Sequence, residues 1–358
     1  MTTIGLLVIR ELNMGPLLFS PIKIRDLTIR NRIFVSPMCQ YSAVDGVAND
    51  WHLVHLGGRA VGGAGLVMCE ATAVSPEGRI SPEDLGIWNQ DQASSLTRIT
   101  QFIKGQGATP AIQLAHAGRK AGTAAPWNGG APVPISNGGW VPLAPSAISF
   151  ANGYQTPEAM TLTDIEKVLE QFKRSAHLAL TAGFDIVEVH MAHGYLLHEF
   201  LSPLSNRRMD NYGRDLAGRM RLPLEVARAI RSVWPDHLPV FVRISTTDWV
   251  DGGWDLDQSV VLCHELKKLG VDLIDASSGG LVPDAKIPAG PGFQVPFAER
   301  IRKDVGVLTG AVGFITTGEQ AESILKSGNA DVIFLALNKL VPPDLFHLEL
   351  ELGRVAPI

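Results

Sequence analysis

Phe184-Asp-Ile-Val-Glu-Val-His-Met-Ala-His-Gly-Tyr195 is the stretch on which the fold turns. From Phe184 to Val189 it is short and mainly apolar, and it reads as a buried strand. That strand runs directly into His190, His193, Gly194 and Tyr195. Catalytic groups of a βα barrel sit at such carboxyl ends of strands. Three readings of the histidine pair stand open at this point. The imidazoles are core groups bonded to backbone, two ligands of a metal, or a catalytic pair beside a tyrosine proton donor. A metal needs a third and a fourth ligand, and no local set is obvious, although Glu188 and Glu199 are near in sequence.

Working outward, seven further apolar runs match this one. The eight predicted strands cover 33–38, 65–74, 109–116, 185–192, 239–245, 273–280, 306–312 and 330–337. Helical periodicity occupies segments between them, including 162–182, 218–233, 256–269 and 317–327. Thr163 ahead of Asp164-Ile165-Glu166 predicts a helix N-cap, and Gly183 and Gly270 fall where helices are expected to end. Strand–helix alternation repeated in this way predicts an α/β fold, a closed (β/α)₈ TIM barrel, rather than an open sheet. No G-x-G-x-x-G follows the first strand, which argues against a dinucleotide-binding open sheet. Residues 121–161, rich in Gly, Pro and Ala and carrying Trp127, Trp140 and Phe150, predict a lid-like insertion after strand three. Residues 279–292 form a second irregular segment, after strand six.

Composition narrows the function. Hydrophobic residues make up 46% of the 358, enough for a large core, so a single barrel domain is expected over residues 14–358. Residues 1–13 are expected to be a disordered tail, with Met14 as an alternative start. Their apolar part is too short for a signal-peptide core. The net charge of -5 gives no electrostatic case for nucleic acid, and no apolar run reaches the roughly 20 residues that cross a bilayer. Cys39, Cys69 and Cys263 form no disulfide framework, which points to a reducing, cytoplasmic setting.

The strand ends carry the polar residues. They are Ser36-Pro-Met-Cys-Gln-Tyr41, Glu70-Ala-Thr-Ala73, Gln113-Leu-Ala-His-Ala-Gly-Arg-Lys120, the histidine pair, Arg243, Ser277-Ser-Gly-Gly280 and Gly310-Ala-Val-Gly313. A mouth so lined suits a planar polar cofactor with a phosphate, because glycine lets backbone N–H groups approach phosphate closely. Together with Gly78-Arg-Ile80, Phe200-Leu-Ser-Pro203 and Phe241-Val-Arg-Ile-Ser245, these motifs resemble the Old Yellow Enzyme family of flavin-dependent ene-reductases. The similarity is greatest to its YqjM-like and xenobiotic reductase class, and it extends over about residues 18–335.

The resemblance implies a barrel holding FMN non-covalently, reduced by NADPH or NADH. Pro37, Met38 and Cys39 would line the flavin, with the Cys39 thiol near the ring and tuning its potential. Ala71 would contact the ring through its backbone, and Gln113 would bond the pyrimidine edge. Arg243 would stabilise negative charge on the reduced ring, and Gly313 would offer its N–H to the phosphate. His190 and His193 would hold the substrate oxygen, Tyr41 would help to bind substrate, and Tyr195 would deliver the proton. The implied substrate is a small molecule with an electron-poor alkene, such as an enone, enal, maleimide or nitro compound. The family habit implies a homodimer or homotetramer.

Three departures qualify the resemblance. Leu337 stands where the family carries a phosphate-binding arginine, with Lys339 two residues on. This motivates a competing expectation: a barrel homologue with a weakened phosphate site that acts as a binding or vestigial protein. Tyr212-Gly-Arg-Asp-Leu-Ala-Gly-Arg219 differs from the family pattern and puts the start of the local helix in question. The ending at Ile358 lacks the longer tail of YqjM-like members, so completion of the site by a neighbouring protomer is not expected.

Overall fold

The computed structural model describes residues 15–336. The expectations for the tail 1–13, for Leu337 and Lys339, and for the chain end fall outside the described residues. Eight parallel strands close into a barrel in chain order. They are β1 (Ile33–Val35), β2 (Leu66–Ala73), β3 (Thr109–Ala115), β4 (Ile186–Met191), β5 (Val240–Ser245), β6 (Leu273–Ser277), β7 (Leu308–Ala311) and β8 (Val332–Leu335). Each lies within a predicted run and is shorter at one or both ends. The helices between them are α1 (Asp50–Val61), α2 (Gln90–Gly105), α3 (Leu162–Thr181), the short α4 (Leu196–Leu201), α5 (Leu216–Val233), α6 (Leu256–Lys268), α7 (Val295–Val305) and α8 (Gly318–Lys326).

Side chains alternate across a strand, and in the barrel this alternation separates two cores. On β4, Val187 and Val189 face the helices and join the outer core, whereas Ile186 joins the inner one. The inner core is built from Phe34, Leu66, Met68, Ala111, Ile186, Phe241, Leu273, Val332 and Phe334. Phe34 stacks on Phe241 at 6.4 Å and meets the edge of Phe334 at 5.4 Å. Gly310 makes room for the last ring, since a Cβ there would lie 2.4 Å from it. An antiparallel hairpin of Ile22–Ile24 and Leu27–Ile29 puts Ile22, Ile24 and Ile29 into the same cluster. This plugs the amino end of the barrel.

Two helix starts answer questions left by the sequence. The cap of α3 is Thr161, not Thr163: its hydroxyl accepts from the Asp164 N–H, and the Asp164 carboxylate accepts from the Thr161 N–H at 2.8 Å. The reciprocal pair needs the three-residue spacing that Thr163 lacks with Asp164. Asp215 caps α5 by accepting from the Gly218 N–H at 2.8 Å, so the divergent text there still begins a helix. Gly183 and Gly270, at φ 89° and 87°, follow the last residues of α3 and α6 as expected.

Candidate active site

Two residues beyond the inner apolar core, the inward positions turn polar. Gln113 on β3, Glu188 on β4, Arg243 on β5 and Asp275 on β6 are all buried. Pairing aligns Gln113 with Glu188 and Arg243 with Asp275. The Gln113 amide donates to the Glu188 carboxylate at 2.8 Å, and the Arg243 guanidinium pairs with Asp275 at 3.0 Å. Burial, with Asp275 adding to it, pushes the Glu188 carboxyl up to about 8. Burial raises Asp275 to about 6, against the pull of Arg243. One guanidinium thus serves two carboxyls in a dry layer, an expensive arrangement for stability alone.

Two residues further on comes the mouth, where Ala115, His190, Ser245 and Ser277 are the inward residues. His190 aligns with Arg243, and it is 3% exposed. Its Nδ1 finds no partner among the described residues. The backbone then turns through His193 and Gly194, both in the left-handed region at φ 60° and 71°. Ser245 Oγ accepts from the His193 N–H at 2.9 Å, and Ser277 Oγ lies 2.7 Å from His193 Nε2. The result is a cluster of three rings. His190 lies edge-on to His193 at 5.2 Å and to Tyr195 at 5.1 Å.

Burial holds both imidazoles well below the usual histidine range, and the Arg243 charge adds to it. They are neutral at physiological pH. Burial also holds the Tyr195 phenol well above its ordinary value, so it keeps its proton. Uncharged at rest, these groups can hydrogen-bond an oxygen, and the phenol has a proton to give.

The opposite wall comes from β1, β2 and the insertion. Pro37, Met38 and Cys39 are partly exposed in the loop after β1. Cys39, Tyr41 and Tyr195 pack on Ala71 and Ala115 in one apolar cluster, which also takes in Trp140. A register shift between Cys69 and Ala71 re-aims β2 at this point. Burial holds the Cys39 thiol well above its ordinary value. The Ala71 N–H and the Tyr41 side chain act against that rise. It is therefore a neutral thiol. Tyr41 sits at φ 47° and meets Trp127 of the insertion edge-on at 5.5 Å.

The insertion is tied down as well. Trp140 Nε1 donates to the Glu77 carbonyl at 2.9 Å, and the Arg79 guanidinium lies 5.0 Å from the centre of the same indole. Gly313 follows β7 at φ 109°, and its carbonyl accepts from the Gly292 N–H at 3.2 Å. The fold thus brings His190, His193, Tyr195, Cys39, Ala71 and Tyr41 to one end of the barrel, with Gln113 and Arg243 one layer below. Gly313 stands on the far rim.

Four further residues of the site, Lys120, Ser277, Glu188 and Asp275, carry no role in the motifs that contain or adjoin them. Asp275 had a legible signal: a carboxylate at an inward position of an apolar strand. Among the described residues, no three His, Cys, Asp or Glu side chains are grouped to hold a metal. His193 Nε2 is engaged by Ser277 instead.

A profile of the NADH:flavin oxidoreductase / NADH oxidase family matches residues 17–353. The chain belongs to that family. The chain is 48% identical over 332 residues to an NADPH dehydrogenase of Geobacillus sp. (strain WCH70), covering 92% of each chain. It superposes on morphinone reductase in complex with tetrahydroNAD with a TM-score of 0.78 at 26% identity, covering 96% of this chain and 92% of that one. The Old Yellow Enzyme homologue from Zymomonas mobilis gives a TM-score of 0.78 at 27% identity, with 95% and 94% covered. The protein is an FMN- and NAD(P)H-dependent oxidoreductase of the Old Yellow Enzyme family, as its motifs implied.

The site fits the flavin on its own terms. The buried Ser36 hydroxyl and the His190 Nδ1 lack partners among the described residues, and each buried orphan costs about 1–3 kcal/mol unless a bound group satisfies it. Among the described residues, no helix is long and apolar enough to cross a membrane.

Proposed function

We propose that this oxidoreductase reduces the carbon–carbon double bond of alkenes conjugated to a carbonyl or nitro group. The observation that carries this reading is the three-ring cluster of His190, His193 and Tyr195 at the mouth, two neutral imidazoles beside a protonated phenol. FMN, when bound and reduced by NAD(P)H, supplies the hydride. The protein's part is to bind, polarise and protonate.

His190 and His193 hold the substrate oxygen and draw electron density from the alkene, so the carbon remote from the activating group becomes electrophilic. Tyr195 gives its phenolic proton to the carbon next to that group as hydride arrives at the other. The two additions saturate the bond, and the tyrosinate recovers its proton from solvent. A buried phenol is a weak acid at rest, which suits it to a carbanion-like centre more basic than itself. Cys39, with Pro37, Met38 and the Ala71 backbone, would line the ring, and Gln113 would bond its polar edge. Arg243 would bring positive charge from below, tempered by Asp275. Gly313 would face the phosphate. Tyr41 and Trp127 would form the outer wall for substrate.

The test uses the FMN-loaded protein under anaerobic conditions. NADPH should bleach the flavin absorbance, and a cyclic enone should restore it with formation of the saturated ketone. A protein that bleaches but is recoloured by oxygen alone would rule the alkene reading out.

A further inference from the structure

The turn that carries His193 and Tyr195 crosses the backbone after β6 at van der Waals contact. A Cβ on Gly194 would lie 2.2 Å from the Gly280 carbonyl oxygen, and one on Gly280 would lie 2.7 Å from the His193 Cα. Only glycine tolerates that approach together with a left-handed φ, and Gly280 has φ 86°. The crossing leaves two carbonyl oxygens, those of His193 and Gly280, near one another. Lys120 Nζ donates to both, at 2.8 and 3.1 Å. The same ammonium lies 5.0 Å from the centre of the Tyr195 ring and 4.7 Å from that of Phe150 in the insertion. It comes from the segment after β3, so one side chain binds together the ends of β3, β4 and β6.

We propose, resting on the alkene-reducing reading above, that Lys120 is a positioning residue of this site: by joining the His193 and Gly280 carbonyls it fixes the His193 imidazole and the Tyr195 ring in working register. His193 is a residue with a side chain held at positive φ, and such a backbone persists only where its surroundings over-determine it. Ser245 holds its N–H and Ser277 its ring; Lys120 holds its carbonyl.

The titratable groups around Lys120 are Arg119 beside it, Glu199 from α4, and the neutral imidazoles of His190 and His193, which both feel its charge. Burial pulls the ammonium down to about 8, with Glu199 opposing. Burial pushes Glu199 up to about 8, with Arg119 opposing. Above that pH the amine still donates, but without charge assistance, which roughly halves such a bond. Recolouring by an alkene should therefore slow on an alkaline limb.

The experiment follows recolouring of NADPH-bleached, FMN-loaded protein by a cyclic enone in a stopped-flow instrument from pH 6 to 10. Lys120→Met should lose roughly a hundredfold in that step, the loss expected of a catalytic group displaced by about an ångström. Flavin spectrum and melting temperature report whether the variant has folded. Lys120→Arg should keep most of the rate and lose the alkaline limb, because guanidinium stays charged. Glu199→Gln should retain the limb. Wild-type speed in the folded Met variant, or an unchanged limb in the Arg variant, would overturn the proposal. Histidine ¹⁵N resonances read the clamp without any alkene. The His193 signal should move with a midpoint near pH 8 in the wild type and stay still in Lys120→Arg. Equal movement in both would overturn the clamp even where no enone is reduced.

Discussion

At the amino end of the barrel, Phe34, Ile186, Phe241, Leu273 and Phe334 interlock over an isoleucine plug; at the carboxyl end, Ser245 and Ser277 hold His193, His190 lies edge-on to Tyr195, and the buried His190 Nδ1 has no partner among the described residues. The same strands build both. Ile186, Glu188 and His190 occupy successive inward positions of β4, passing from an apolar side chain to a titratable carboxyl to an imidazole of the proposed site within five residues. Strand geometry is indifferent to this change, so what differs is the work done. One end is packed for stability, and the other keeps donors and acceptors ready for molecules that come and go. Between them lies a layer in which Arg243 answers to both Asp275 and Glu188.

The chemical end is the one a single substitution disturbs most. Tyr195→Phe should slow enone reduction by about 10²–10⁴-fold, the usual worth of a positioned acid, with melting temperature nearly unchanged. A Phe variant of wild-type rate would remove the phenol from the mechanism. At the packed end, Phe334→Ala should cost about 3–5 kcal/mol in chemical denaturation while the folded fraction keeps its rate constants. Equal damage to rate and stability there would mean that the two ends are not separable.

The middle layer should show itself through pH. A carboxyl whose pKa is raised on folding, as Glu188's is to about 8, binds more protons folded than unfolded. Its stabilising contribution is therefore complete below the unfolded value and is lost as pH climbs towards 8, at no more than about 1.4 kcal/mol per pH unit. Glu188→Gln should be steadily more stable than the wild type across that window, by denaturant titration at a series of pH values. Parallel curves would show that Glu188 does not titrate there. The smallest effect is expected at Ser277→Ala, about 1 kcal/mol in the enone-reducing step through loss of one bond to His193. An unchanged KM and kcat for the enone would show that Ser245 and Lys120 alone hold that residue.

Much of the fold was legible because it is local. Every barrel strand lies inside an apolar run, and alternation along those runs names the inward residues. The cap of α3 was misplaced by two residues because both threonines precede Asp164, and only the reciprocal bond selects Thr161. The three rings proposed to act on substrate were legible because they follow one strand. Lys120 was not, because its partners lie 73 and 160 residues away and are backbone carbonyls, which leave no mark on the side-chain pattern. The pairing of Arg243 with Asp275 was hidden likewise: adjacency of β5 and β6 is predictable, but the register that aligns those two residues is set by barrel closure.

By itself, then, the sequence determined which segments are strands, which of their residues point inward, and which end of β4 carries the two histidines and the tyrosine. These follow from steric alternation and burial, which act over a few residues. Only the tertiary structure decided that the His193 carbonyl meets that of Gly280 beneath one ammonium, and that burial holds the imidazoles well below and the phenol well above their ordinary ranges. Crossing and desolvation are properties of packed surroundings, which come into being only when distant parts of the chain close around the same point.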